Sequence, residues 1–279
     1  LALVTTAFAQ NEDQAFDLGT PVRRGELQER TVQDSATSVA VVTGDDLETR
    51  SEVNLYDVLE RTPGVTKSGA NSGIAIRGID QRGLGGGGSS VVSVQVDGVA
   101  LPSTQSTFFG PYSTWDLEQI EVLRGPQSTQ QGRNALAGAV VIRSKDPSFD
   151  KEAKMRAGFG SRNTYETALA FNVPLVADRL ALRFSAETYQ SDGWITNPTL
   201  ATDRFDARDA TTVRVKLRWD PTDDLSFIAS YSYSSNFGSW AEADDESFPA
   251  ARVNESDFNF DHGSEHEILG LRARWDINE

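Results

Sequence analysis

From Glu152 onward, apolar and polar residues alternate in blocks of roughly ten, the period of strands with two unlike faces. The clearest block is 212–219, where Val213, Val215, Leu217 and Trp219 alternate with Thr212, Arg214, Lys216 and Arg218. Leu269, Leu271, Ala273 and Trp275 repeat this against Gly270, Arg272 and Arg274, and both blocks end in Trp-Asp. The pattern predicts about six strands, near residues 152–160, 164–172, 179–190, 209–219, 225–235 and 265–276. Residues 173–178 and 220–224 make short links and 191–208 and 236–264 long ones, with 160–163 a short exception. Alternating short turns and long loops, with tryptophans closing one end, suit antiparallel strands that cross a membrane with one face in lipid. A soluble sandwich also alternates, but it has less reason to set Arg or Lys at every second position and finish two strands on the same Trp.

Upstream the pattern is that of a small mixed α+β domain. A helix is predicted over 43–61: Thr43 or Asp45 caps it, Leu47, Leu55, Val58 and Leu59 form its apolar face, and Pro63-Gly64 stops it. Short strands follow at 74–76, 92–96, 120–123 and 139–142, with Arg77-Gly78 and Asp97-Gly98 as tight turns between them. The run Gly85 to Gly88 lacks the spacing of a phosphate-binding loop and reads as a mobile connection. Residues 103–114 read as a polar loop holding Phe108, Phe109 and Tyr112, with Trp115 just beyond it.

Composition removes several function classes. The net charge of -15 repels phosphates and no compact Lys/Arg cluster offsets it, so nucleic acid is not a partner. With no Cys there is no thiol nucleophile, disulfide or Cys-ligated metal. Two His and no G-x-S-x-G give no triad, and the chain is read as no enzyme. The loop 236–264 carries seven carboxylates, with His262 and His266 at its end, in a spacing that matches no ligand motif. It is read as a solvated acidic surface loop, with cation binding the open alternative. Ala7-Phe8-Ala9 forms an A-x-A-like cleavage site, so residues 1–9 read as the remnant of a signal peptide and the chain as exported. Residues 10–30 are polar and weakly periodic, as in a flexible segment.

Four segments carry a more specific resemblance: V-L-E-R-T-P-G-V from Val58, I-A-I-R-G-I from Ile74, V-S-V-Q-V-D-G-V from Val92, and I-E-V-L-R-G-P-Q-S from Ile120 with G-R-N-A-L-A-G-A-V-V-I ending at Ile142. In this order and spacing, residues 31–147 resemble the plug domain of TonB-dependent outer-membrane receptors, and 148–279 then read as the first strands of the receptor barrel. Members of that family close about 22 strands around the plug, so the resemblance implies a fragment with an incomplete barrel.

What the resemblance implies is active import across the bacterial outer membrane, most often of a ferric siderophore, with energy from TonB, ExbB and ExbD and no cofactor. Another cargo (a vitamin, haem or an oligosaccharide) is the alternative, and a non-transporting surface binding barrel is a third reading. A TonB box is placed at Asp17, Leu18, Gly19, Thr20, Pro21 and Val22, where an extended segment adds as a strand to TonB; Pro21 departs from the usual Val-rich form. By the same resemblance Arg77 and Arg124 latch the plug to barrel glutamates, and Gly78, Gly98, Gly125, Gly132 and Gly138 serve plug turns. Cargo contacts are placed on outward plug loops at Lys67, Gln81, Gln105, Phe108, Phe109 and Tyr112. The three aromatic residues suit stacking on a planar ligand or packing against the barrel wall.

Overall fold

The computed structural model describes residues 21–22, 30–31, 38–50, 54–69, 72–83, 90–110, 113–127, 134–239 and 252–277. The predicted signal remnant, the Gly85 to Gly88 run, Tyr112, Gly132 and box residues 17–20 lie outside them. Strand β1 (Pro21–Val22) pairs antiparallel with β2 (Arg30–Thr31).

The front half is built on a five-stranded sheet. Its strands are β3 (Ser38–Thr43), β7 (Val92–Val96), β8 (Val99–Ala100), β9 (Leu117–Arg124) and β10 (Gly138–Ser144), in the order β3-β9-β10-β7-β8. Strands β9 and β10 are buried on both faces; β10 carries the apolar run Ala139 to Ile142 that suits this, while β9 buries Gln119 and Glu121 among its apolar residues. Over one face lie helices α1 (Gly44–Arg50) and α2 (Leu55–Glu60) and a small sheet of β4 (Val65–Gly69), β5 (Ser72–Ile76) and β6 (Ile79–Asp80). Tyr56, Leu59, Ile74, Ile76, Val92, Ile120 and Ile142 meet there in one core. Helix α3 (Thr104–Phe108) follows β8.

Three local predictions change. Residues 43–61 form two helices instead of one, because Asn54 takes an extended conformation and its side chain accepts from Tyr56 N, starting α2 afresh. Thr43 caps α1 reciprocally: its Oγ1 accepts from Asp46 N at 3.2 Å while Asp46 Oδ2 accepts from Thr43 N at 3.1 Å. Residues 104–108 are helical where a loop was read, with Ser103 Oγ accepting from Ser106 N at 3.0 Å as the cap. Strand β3 was not foreseen.

The back half is a six-stranded antiparallel sheet in strict sequence order. Its strands are β11 (Glu152–Gly160), β12 (Thr164–Val176), β13 (Leu180–Ser191), β14 (Arg208–Trp219), β15 (Leu225–Ser239) and β16 (Asp261–Trp275). Burial alternates along β11 and β16, and toward the short-turn end of β16 and along β11 the outward positions are apolar and bare: Met155 and Phe159 are 83% and 82% exposed, Leu269 and Leu271 80% and 78%. That is a face built for lipid. Trp219 and Trp275 lie together at the short-turn end, since Trp219 pairs with Phe227 and Trp275 with Leu225. Among the described residues no helix is long and apolar enough to cross a membrane, which says nothing of strands.

Candidate functional site

The inner face of this wall meets the front domain through charge. Arg183, on β13, donates from Nε to Asp116 Oδ2 at 2.8 Å and from Nη2 to Asp116 Oδ1 at 2.5 Å, and its Nη1 reaches Glu152 Oε2 at 2.9 Å. Arg214, on β14, donates from Nη1 to the Trp115 carbonyl at 2.9 Å. One turn of the pleat lower, Lys216 Nζ donates to Asp97 Oδ1, Asp146 Oδ1 and the Ser144 carbonyl at 2.9–3.0 Å. That uses all three ammonium protons. Arg272 of β16 joins Lys216 on Asp146, and Arg143 binds its Oδ2 at 3.0 Å.

These pairs are buried: side-chain exposure is 4% for Arg183, 3% for Asp116 and 5% for Lys216. Burial alone would raise the Asp146 carboxyl, but Lys216 and Arg272 outweigh it and hold it well below the usual carboxylate range. Buried ion pairs add little net stability, because desolvation offsets attraction, yet they fix register and orientation. Each partner is also readily rehydrated on separation, whereas an apolar joint of the same size would cost about 25 cal/mol per Å² to expose. The contact is therefore specific without being permanent.

Two turns present the acidic partners. Asp97 and Gly98 both take positive φ, 50° and 88°, closing the β7–β8 hairpin so that the Asp97 carboxylate also accepts from Ser144 N and Oγ. Asp116 also has positive φ, 56°, a conformation that costs a non-glycine residue energy. Trp115 beside it donates from Nε1 to the Leu169 carbonyl at 2.9 Å and lies under the Arg156 guanidinium, 4.9 Å from its ring. Arg156 in turn binds Glu187 at 2.8 Å and pairs with Glu166.

Near the long-loop end of the wall, a cavity of about 180 Å³ lies between the two halves. Asn54, Asp57 and Ser113 line it from the front domain, and Glu187, Trp194, Asp206 and Arg208 from the wall. Asp206 Oδ1 shapes the rim by accepting from Trp194 N and Ile195 N at 2.7 and 2.5 Å. The rim is braced further by Thr196 N donating to the Arg252 carbonyl and Asn254 N to the Thr196 carbonyl. A concave space with convergent polar groups and a half-exposed Trp is suited to holding a small ligand.

The residues singled out from sequence fall in several places. Arg77 and Arg124 come together around Gly125: Arg124 Nη1 donates to the Pro63 carbonyl at 2.8 Å, and Arg77 Nη1 lies 3.3 Å from where a Gly125 Cβ would stand. Among the described residues neither meets a wall carboxylate; the wall's partnerships run the other way, cations of the wall on acids of the domain. Gly78, Gly98 and Gly125 sit at positive φ in turns. Gly138 does not, being the first residue of β10, where a Cβ would stand 2.4 Å from the Leu123 carbonyl oxygen.

Of the residues read as cargo contacts, Phe108 and Gln81 are internal. Phe108 is 4% exposed, packed on Gly73 with Arg82 over its ring, and Gln81 is fully buried with Oε1 accepting from Ile74 N. Phe109 stacks on His262 of β16 with ring centroids 3.7 Å apart, so it packs against the wall. Lys67 is held by Asp57 at 2.7 Å and Glu60 at 3.1 Å, next to the cavity. Gln105 lies in α3. Val22 and Pro21 are the residues of β1. The loop 236–264 is described only in part; among the described residues no group of three or more His, Asp and Glu converges as a metal site would need. Reading the sequence missed Asp97, Asp116, Asp146, Arg183, Arg214 and Lys216 as a joint.

A family model described as TonB-dependent Receptor Plug Domain matches residues 31–139. Among curated proteins, the ferrioxamine receptor of Yersinia enterocolitica is 27% identical over 195 residues, covering 70% of this chain and 26% of that protein. The iron-regulated outer membrane virulence protein of Vibrio cholerae is 32% identical over 158 residues, 52% of this chain and 23% of its own length. Among solved structures, the ferric yersiniabactin uptake receptor FyuA from Yersinia pestis superposes with a TM-score of 0.74 at 21% identity, covering 89% of this chain and 40% of that one. The chain thus spans about a quarter of the length of these curated relatives.

Proposed function

We propose, for a chain that belongs to the TonB-dependent outer-membrane receptors and carries their plug fold beside six strands of their barrel, that the whole protein imports a ferric siderophore across the outer membrane with energy from TonB, ExbB and ExbD. The observation that carries this reading is the plug's attachment to the wall through satisfied ion pairs such as Arg183–Asp116. A plug that must stay seated at rest and come loose when pulled needs a joint that is specific and rehydratable. The similarity to ferrioxamine receptors favours a ferric siderophore as cargo.

Within this reading the cavity beneath the long loops is where cargo first rests, and residues 17–22 are the segment TonB grips as an added strand. The pairing of Pro21–Val22 with Arg30–Thr31 is then a resting position that TonB competes for. Arg77, exposed, and Arg124, whose Nε has no partner, are placed to take carboxylates from further barrel strands. Gln105 and Tyr112 complete the proposed contacts on the plug side.

The test is uptake of radioactive ferric ferrioxamine B by cells in which the full-length gene is the sole candidate receptor. Uptake should require both the gene and TonB, while surface binding should survive loss of TonB. Growth on iron-replete medium with no change in uptake on deleting the gene would refute it.

A further inference from the structure

The cavity at the long-loop end holds about 180 Å³, whereas a whole drug-sized ligand fills roughly 300–1,000 Å³. A complete ferric chelate is too large for it; one arm of a chelate is not. The lining grades from closed to open: Glu187, Ser113 and Thr212 are 6%, 5% and 4% exposed, and Trp194 is 50% exposed. The buried three form a polar floor, and Trp194 stands at the mouth. Tyr189 gives the lining a second ring.

The charge of this space is negative. Asp57, Glu187 and Asp206 line it against Arg208. Lys67 is shared between Asp57 and Glu60, and Arg156 between Glu187 and Glu166, so each of these groups keeps one negative charge. Asp206 spends Oδ1 on two neutral donors, Trp194 N and Ile195 N, and keeps its own. Against these three charges stand Arg208 and, diagonally across the β13–β14 pair from Glu187, Arg214. The two long connections add to the excess: residues 191–208 carry three carboxylates and two Arg, residues 236–264 seven carboxylates and one Arg. Such a field draws cations and repels anions. Trp194 already attracts a cation, with the Arg252 guanidinium 5.3 Å from its ring centroid.

We infer that the cavity receives a pendant alkylammonium arm of the cargo, its chain against Trp194 and Tyr189 and its ammonium held by Glu187 and Asp57. An ammonium brings three protons, enough for both carboxylates and a hydroxyl of the floor such as Ser113. This rests on the ferric siderophore reading and names the class within it: a chelate bearing one primary amine, in preference to an anionic chelate or one whose arm ends in a carboxylate. Arg208 by itself would suit an anion, but the three carboxylates of the lining outnumber it.

The experiment compares three ferric chelates that differ only at the end of one arm: ferrioxamine B, with a free amine, its N-acetyl derivative, neutral there, and its N-succinyl derivative, anionic there. Binding to the purified full-length receptor is read by titration calorimetry. The amine should bind roughly tenfold more tightly than the acetyl derivative and the succinyl derivative most weakly, with the gaps narrowing as salt rises. Glu187→Gln should bring the ratio of amine to acetyl affinity close to one, and Asp57→Asn should reduce it. Equal affinities in the wild type, binding of none of the three, or a ratio kept in both variants overturns the arm assignment; the wild-type comparison decides alone should a variant fail to fold. Uptake of all three chelates alike refutes the assignment and leaves import standing, whereas the expected order of binding without TonB-dependent uptake refutes import and leaves the assignment standing.

Discussion

Arg183 and Asp116 face each other in a two-point ion pair, Nε to Oδ2 at 2.8 Å and Nη2 to Oδ1 at 2.5 Å, with both side chains almost wholly buried. One residue belongs to the barrel wall and the other to the plug. The pair is therefore a joint between two bodies as well as an interaction within a fold, and its planar fork fixes their mutual angle as a single-point contact would not.

Removing one half should cost more than removing both. Asp116→Ala leaves a buried guanidinium with only Glu152 for charge and should destabilise the full-length receptor by about 3–5 kcal/mol. Asp116→Ala with Arg183→Met should recover most of that loss, because no orphaned charge remains. Urea unfolding of the four-member cycle measures both numbers; a loss in the double variant equal to the sum of the two single losses would show that the pair is not coupled.

Asp146 gives the lower joint a defined response to acid. Its folded carboxyl titrates below the ordinary value of 3.8, so its contribution is fully present above that value and is lost as pH falls through the lower, folded one. The unfolding midpoint should hold through mild acid and drop only once the pH falls below the ordinary carboxylate value. Asp146→Asn should lower the midpoint at neutral pH and flatten the acid-side slope. A slope unchanged by this substitution would assign the acid response to other carboxylates.

How much of this was legible in the sequence follows from what a pattern can encode. Alternation in 212–219 gave the strand and its two faces, and β14 runs over Arg208–Trp219. It could not say what the polar face meets. Arg214 and Lys216 read only as the polar side of the strand, whereas they meet Trp115, Asp97 and Asp146, partners so remote along the chain that no local period connects them. Turn chemistry was legible where it is local, as at Asp97-Gly98. Strand β3 was lost because Val39 to Val42 is a short apolar run before a helix cap, which periodicity alone does not separate from the helix. The break at Asn54 had a signal that went unused: a capping residue directly ahead of Leu55.

The Tyr56 hydroxyl ties the plug core to the segment that touches the wall. It lies 3.0–3.1 Å from the carbonyls of Thr107, Phe108 and Gly110, and the ring is 2% exposed. Tyr56→Phe removes this hydroxyl donor from the cluster and should cost about 1–3 kcal/mol, the usual penalty for unsatisfied buried polar groups. Because Phe109, between these carbonyls, stacks on His262, faster hydrogen exchange in 107–110 should accompany the loss. Unchanged exchange there would confine the effect of the hydroxyl to the core.

Gly73 is fixed by two independent constraints, so its substitution separates space from conformation. Its φ is +68°, and a Cβ would stand 2.3 Å from the Phe108 ring. Gly73→Ala should destabilise by about 1–3 kcal/mol from overpacking, with the backbone strain added. Phe108→Leu frees the ring's space while leaving the backbone requirement intact. In the double variant the steric part should therefore vanish and about 1 kcal/mol should persist, the cost of a positive φ for alanine. If the double variant is as unstable as the sum of the singles, the Phe108 ring is not what Gly73 makes room for.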